Sequence, residues 1–319
     1  MTGDVLRADL IAVLKGGRSA EREVSLGTGA QVSAALISRG HRVVEIDTGE
    51  AGFIAELQGA HPDAAFICLH GRFGEDGTVQ GLLELLGIPY VGSGVLASAL
   101  AIDKVISKHL FAQEGLPTPE YVHLRQGEPW SAEAITADLG PKTVVKPANE
   151  GSSVGMTIVH VPEELAAGIE KAFEHDRDII VERFVEGVEV TIGVLGNEDP
   201  VALPTLEIVP EHEFYDYDSK YVPGMSTHII PARVSDEART ECQRVATAAH
   251  RALGCSGMSR ADTIVTPDGQ VLLLEVNTIP GMTSTSLLPD AARAAGIEFP
   301  ELCDRLVDLA LDAWARRRH

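Results

Sequence analysis

The sequence predicts an α/β protein of more than one domain, opening with a parallel sheet, and three observations carry that reading. Apolar strand-like runs at Leu10–Leu14, His41–Asp47 and Ala64–Leu69 alternate with a helix-period stretch, Glu23–Ser38, that Gly40 ends. Such alternation implies parallel strands with ligands bound beyond their C-terminal ends. Further on the pattern changes: Arg260–Val265 and Val271–Asn277 flank Pro267-Asp268-Gly269 and read as an antiparallel hairpin. With 319 residues and 45% hydrophobic content, the chain is long enough for two or three domains with a sizeable core.

Taken in order, the first strand runs into Lys15-Gly16-Gly17. A dinucleotide-binding fold is the natural rival here, because Asp47 ending the second strand suits a ribose contact, although the full GxGxxG is absent. Glu21 and His70 stand where a Rossmann-like sheet places functional groups; equally, Glu21 could cap a helix and His70 could bond a loop carbonyl. A Gly/Ser-rich passage around Tyr90–Ala97 reads as the first boundary, and a helix from about Asp103 stops at Gly115 before Pro117. Strand Thr143–Lys146 then leads into a serine-bearing glycine loop, Pro147 to Gly155, able to close over phosphates. It is no Walker A motif, since the lysine precedes the glycines, and a plain surface turn remains open from the residues alone. Ile179–Val185, Val188–Leu195 and Val201–Ile208 read as strands, with Gly187 at the crossover and Glu182 and Glu189 bracketing it. Glu211–Ile230 is polar, aromatic and broken by Pro223-Gly224, which suggests an Ω-like loop carrying Tyr217, Lys220 and Tyr221. Glu237–Leu253 and Phe299–Arg316 read as packing helices.

The charge balance, 26 Lys+Arg against 47 Asp+Glu for a net −21, argues against a nucleic-acid or anionic-membrane surface, so any phosphate site must be local. Cys68, Cys242, Cys255 and Cys303 show no metal-ligand spacing and read as buried reduced thiols. The apolar run near the N-terminus is too short for a signal segment or a membrane span, which places the expected protein in the cytoplasm.

The hairpin carries the chemistry. Asp262 lies as far before the midpoint between Asp268 and Gly269 as Glu275 lies after it, and the same holds for Arg260 and Asn277. A loop of two or four residues therefore sets Asp262 opposite Glu275 and Arg260 opposite Asn277 on one face, whereas a three-residue loop breaks the match. Because Pro267 cannot donate a ladder bond, four residues are expected. Two carboxylates and an amide oxygen converging beside an Arg suit magnesium carrying phosphates; a solvated hairpin face with an Arg–carboxylate pair is the bland alternative. After the hairpin, Pro280-Gly281-Met-Thr-Ser-Thr-Ser offers backbone N–H groups and hydroxyls to anionic oxygens.

This stretch resembles the C-terminal signature of D-alanine–D-alanine ligases, in the ATP-grasp superfamily. The resemblance continues through GGRSAEREVSL, LHGRFGEDGTVQGLLELLGIPYVGSG, Asp103-Lys104, VVKPANEGSSVG and FYDYDSKY, nearly the whole chain. Ala261, Thr263 and Ile279 depart from the pattern in packing more than in chemistry. The resemblance implies a three-domain ATP-grasp architecture: 1–95 as the N-terminal Rossmann-like domain, 96–187 as the central lid domain, and 188–319 with the metal and substrate site. It implies ATP as co-substrate and two Mg2+ ions, with Mn2+ able to substitute, on Asp262, Glu275 and Asn277. Lys104 and Lys146 are then the α/β-phosphate ligands, Glu182 the acceptor for the adenine amino group, Glu189 the acceptor for the ribose hydroxyls, and Lys220 a neutraliser of the transferring phosphoryl group. Glu21 anchors the ammonium of the first D-alanine with His70 nearby. Ser152 and Tyr221 join Glu21 in a network between lid and loop, Arg260 and the Gly281 N–H face the oxyanion, and Ser286 with the Leu287 backbone grips the second carboxylate. The implied reaction makes D-alanyl-D-alanine, ADP and phosphate for peptidoglycan synthesis, in a homodimer. Another ATP-grasp carboxylate–amine ligase, a D-alanyl-D-lactate-forming relative and a non-catalytic nucleotide-binding module remain as alternatives.

Overall fold

The structure, a computed structural model, describes residues 8–19, 21–151, 154–210 and 226–317. Strands β1 (Leu10–Lys15), β2 (Arg42–Asp47), β3 (Ala64–Ile67) and β4 (Tyr90–Val91) form a parallel sheet in the order β2-β1-β3-β4. All four residues of β3 are buried, as a strand covered on both faces requires. Helices α1 (Arg22–Ser38), α2 (Phe53–Ala60) and α3 (Thr78–Leu86) supply the crossovers. The passage read as a boundary contains β4 and the first residues of α4 (Val95–Ile102).

Asp103 then starts α5 (Lys104–Gln113), its carboxylate accepting the Val105 and Ile106 N–H groups and so fixing where Lys104 points. Strand β5 (Tyr121–Arg125), helix α6 (Ala132–Leu139), strands β6 (Thr143–Pro147) and β7 (Thr157–Val159), helix α7 (Leu165–Phe173) and strand β8 (Asp178–Arg183) follow. They give an antiparallel sheet ordered β5-β8-β6-β7. Strand alternation divides its faces: Val145, Ile179 and Val181 pack with α6 and α7, and Val144, Lys146 and Glu182 turn the other way.

The third sheet runs β12-β11-β9-β13-β14, with β10 also on β9. Its members are β9 (Val188–Gly196), β10 (Val201–Ala202), β11 (Leu206–Pro210), β12 (Ser226–Ile229), β13 (Gly257–Val265) and β14 (Val271–Asn277). The single strand expected over Val201–Ile208 is thus two, parted around Pro204, which has no N–H for the ladder. Helix α8 (Asp236–Ala252) covers the back face through Val245, Ala246 and Ala249 against Ile192, Ala261 and Val276. Helix α9 (Leu287–Ala294) follows the hairpin, and α10 (Phe299–Arg317) returns to the first sheet, where Leu302, Leu306 and Val307 share a core with Ile11, Val13 and Phe66. The four cysteines are buried and unbonded, and burial lifts the Cys255 and Cys303 thiols to about 12.

The hairpin loop corrects the sequence reading. Thr266 N–H bonds the Gln270 carbonyl at 2.9 Å, leaving Pro267-Asp268-Gly269 as a three-residue loop with Gly269 at φ +87°. Alone, that loop would set Asp262 opposite Leu274. A β-bulge intervenes: the pairing slips between Asp262 and Thr263, where Thr263 faces Leu273 while Asp262 faces Glu275. Leu274 is the extra residue, and from there the expected pairs, Asp262 with Glu275 and Arg260 with Asn277, are in place.

Candidate active site

Two cavities meet where the three sheets converge. One, of about 410 Å³, lies between the second and third sheets, with Val144, Met156, Ile158, Phe184, Ile264 and Leu274 among its apolar lining. The other, of about 670 Å³, opens towards the first sheet. Lys104, Glu150, Gly151 and Glu275 line both and form the wall between them. The bulge has a direct consequence here, because it lets the consecutive residues Leu274 and Glu275 both line the slot.

On the hairpin, Asp262 accepts Arg260 through Nε at 2.9 Å and Nη2 at 2.7 Å, and Thr191 Oγ1 at 2.6 Å. Such a bidentate fork fixes the carboxylate plane. Asn277 is fixed differently: its Oδ1 accepts the Ile279 N–H at 2.9 Å as the chain turns into the Pro280-Gly281 loop. Lys104 Nζ lies 3.6 Å from Glu275 Oε2 and donates to the Glu150 carbonyl at 2.7 Å, tying helix α5 to the glycine loop. Asp262, Glu275 and Asn277 thus present hard oxygen donors, the donor set that fits magnesium.

The slot holds a cluster of which sequence reasoning named Glu182 and Lys146 but not Lys108. Glu182, 2% exposed, is paired with both Lys146 and Lys108, and Lys108 is fully buried. Burial alone would raise the Glu182 carboxyl, yet the two ammonium groups hold it below the usual glutamate range. Burial would lower Lys146, but Glu182 and Glu275 lift it above its ordinary value. For Lys108, burial wins over Glu182 and the value falls. Four-residue spacing from Lys104 along α5 was the available signal for Lys108.

In the larger cleft Glu21 and His70 are buried beside Glu75, whose Oε1 is 3.5 Å from His70 Nδ1. Glu21 occupies the N-cap position of α1, as the helix-end alternative expects, but makes no side-chain cap bond there. Gly151 comes over these acids: a Cβ there would lie 3.7 Å from Glu75 Oε2 and 3.9 Å from Glu21 Oε2. In the loop before α9, Ser286 Oγ accepts the Thr283 N–H at 3.1 Å and lies 2.7 Å from Thr283 Oγ1, next to the N-terminus of that helix. At Gly281 a Cβ would stand 3.0 Å from Ser286 Oγ, so a side chain there would press on that hydroxyl. Gln31 of α1 accepts the Ser284 N–H at 2.8 Å, tying this loop to the first sheet's helix.

Glu189, Arg260 and Leu287 also line these cavities. Ser152, Tyr217, Lys220 and Tyr221 lie outside the described residues. The dinucleotide alternative loses its key residue, because Asp47 is engaged by Arg22 through two bonds, one of 2.9 Å. Gly16, at φ +74°, leaves room for that pair; a Cβ would fall 2.3 Å from Asp47 Oδ1.

Comparison with known proteins decides between the alternatives. Residues 110–308 match the family described as D-ala D-ala ligase C-terminus, and 53–93 match D-ala D-ala ligase N-terminus. The chain belongs to the D-alanine–D-alanine ligase family. It is 49% identical over 314 residues to the D-alanine--D-alanine ligase of Pelotomaculum thermopropionicum, covering 97% of this chain and 98% of the relative. To that of Desulforudis audaxviator it is 52% identical over 301 residues, covering 94% and 98%. The Bacillus anthracis D-alanine--D-alanine ligase complexed with ATP superposes with a TM-score of 0.85 at 34% identity, over 97% of this chain and all of the other. As a member of this family the chain has the ATP-grasp architecture expected from its motifs. Among the described residues no helix is long and apolar enough to cross a membrane.

Proposed function

We propose that the chain is an ATP-dependent, ADP-forming ligase that joins two D-alanines through an acyl phosphate, in the cytoplasm, for peptidoglycan synthesis. The observation that carries this reading is the hairpin face: Asp262, Glu275 and Asn277 stand where an apolar slot meets a larger cleft whose lining includes Glu21, His70 and Ser286.

In this reading the adenine enters the slot between Ile158 and Leu274, Glu182 accepts from its amino group, and Glu189 takes the ribose. Lys146 and Lys104 hold the phosphates. Bound magnesium, on Asp262, Glu275 and Asn277, would neutralise charge on the transferring phosphoryl group. Glu21 and His70 hold the first D-alanine by its ammonium, so that its carboxylate points towards the wall carrying Lys104 and Glu275 and takes up the γ-phosphoryl group. Arg260 and the Gly281 N–H then face the oxyanion that forms when the second amine attacks the acyl carbon and phosphate leaves. Ser286 and the Leu287 backbone at the start of α9 grip the second carboxylate, where backbone donors and the helix dipole favour an anion. No covalent enzyme intermediate is needed.

The test is ADP release coupled to D-alanine, with L-alanine, D-lactate and other D-amino acids as controls and the product identified by mass. Release that is independent of D-alanine, or a product other than D-alanyl-D-alanine, would overturn the reading. Tyr221→Phe should shift the ester-to-dipeptide ratio towards D-lactate, more so at lower pH, because a hydroxy acid has no ammonium to deprotonate. We also propose a homodimer, supported by Leu85 and Leu96, 88% and 71% exposed, on α3 and α4; light scattering that gives a monomer at micromolar concentration would refute it.

A further inference from the structure

Lys146 can serve nucleotide phosphates only if its ammonium can turn from Glu182, with which it is paired. Glu182 keeps only 3% of its side chain exposed, so water does not replace a departing lysine there. The second lysine answers this. Lys108 has no exposed side-chain surface, contacts the other Glu182 oxygen, donates to Thr118 Oγ1 and lies 5.5 Å from the centre of the Tyr121 ring. Helix α5, Thr118 and β5 enclose it away from the phosphate wall, whereas Lys146 lines the slot itself.

We infer that Lys108 is a positioning residue for nucleotide binding, the resident counter-ion that keeps Glu182 compensated while Lys146 engages the phosphates. The inference rests on the reading of Lys146 as a phosphate ligand. With Lys108 removed, Glu182 would retain Lys146 as its partner, and an incoming nucleotide would have to break a buried ion pair. Glu275 and Glu189 also act on Lys146 through space, but as carboxylates neither can compensate Glu182, so Lys108 is the second cation in contact with it.

Initial rates against ATP and against D-alanine, with thermal melting alongside, test this on Lys108→Met, Glu182→Gln and the double variant. Lys108→Met is expected to raise the KM for ATP about tenfold or more and to move the KM for D-alanine by less than about twofold. In the double variant the KM for ATP should fall within about threefold of Glu182→Gln alone, since without the carboxylate there is nothing for Lys108 to compensate. A Lys108→Met protein that melts lower yet keeps the parent's KM for ATP overturns the inference. So does a double variant about tenfold worse than Glu182→Gln, because Lys108 would then act on nucleotide by another route. That second comparison holds even if Lys108→Met alone does not fold. Failure of the underlying function looks different: the parent enzyme would release no ADP in response to D-alanine, and the inference would fall with it.

Discussion

In the apolar slot Glu182 sits between Lys108 and Lys146 with 3% of its side chain exposed, whereas in the shared wall Glu275 keeps 34% of its side chain exposed and has Lys104 at 3.6 Å. The two glutamates stand on different sheets and face the same ligand-binding space. Burial explains the difference. A carboxylate deep in the slot needs its counter-ions built in, since an uncompensated charge there costs several kcal/mol. One in the wall of the cleft is partly solvated, and its oxygens can face a metal ion.

Glu275→Gln breaks the cleft side of this comparison and should have the largest effect. Turnover is expected to drop roughly a hundredfold or more, with the melting temperature nearly unchanged, because the residue serves charge on the reacting group and little packing. Steady-state rates at ordinary magnesium check it, and near-parental turnover would remove Glu275 from the mechanism. Next come two substitutions that should separate the halves. Lys146→Met should raise the KM for ATP by about tenfold, and Ser286→Ala the KM for D-alanine by a similar factor, each leaving the other constant within about twofold. Smaller again is Leu274→Ala, which trims the apolar lining beside Glu275: a loss of about 1 kcal/mol corresponds to a roughly fivefold rise in the KM for ATP, with no change for D-alanine.

Asp47 sharpens the comparison from outside the cleft. It ends a strand of the first sheet as a site carboxylate would, but its counter-ion is built in, as for Glu182. Arg22, helped by the Gly49 and Gly17 N–H groups, holds it at about 2, below the ordinary 3.8. A carboxyl depressed in this way contributes stability that is present above its unfolded value and lost as pH falls through its folded one. Because Arg22 and Asp47 are 36% and 20% exposed, solvent screening keeps the contribution small. Urea melts of Asp47→Asn should therefore lie below the parent at pH 7, with the gap closing between about pH 4 and pH 2. A gap independent of pH would show that packing, not charge, carries the effect.

Much of the fold was legible locally. The first three parallel strands, the long helices α1, α8 and α10, and the helix start near Asp103 follow from periodicity and helix start and stop signals, which act between residues close in sequence. Helices α2 and α3 went unread because glycines, Gly52 and Gly77, stand at their N-caps without a side-chain cap bond, so the usual start signal is missing. The metal-bearing face was legible from the hairpin's symmetry, although for an incomplete reason: the loop has three residues and the Leu274 bulge restores the pairing. A bulge depends on how β13 and β14 sit in the whole sheet, and no local pattern announces it.

The sequence by itself determined which residue types could bind phosphate, metal and amino acid, because that chemistry belongs to the side chains and to the short motifs that carry them. Tertiary structure alone decided which charges are already spent. Asp47 faces Arg22, Glu182 faces two lysines from two other elements, and Glu275, about a third exposed, lies 3.6 Å from Lys104. Each outcome depends on groups far apart in sequence meeting at a given depth, and burial depth sets whether a carboxylate must be neutralised by the protein or can wait for its ligand.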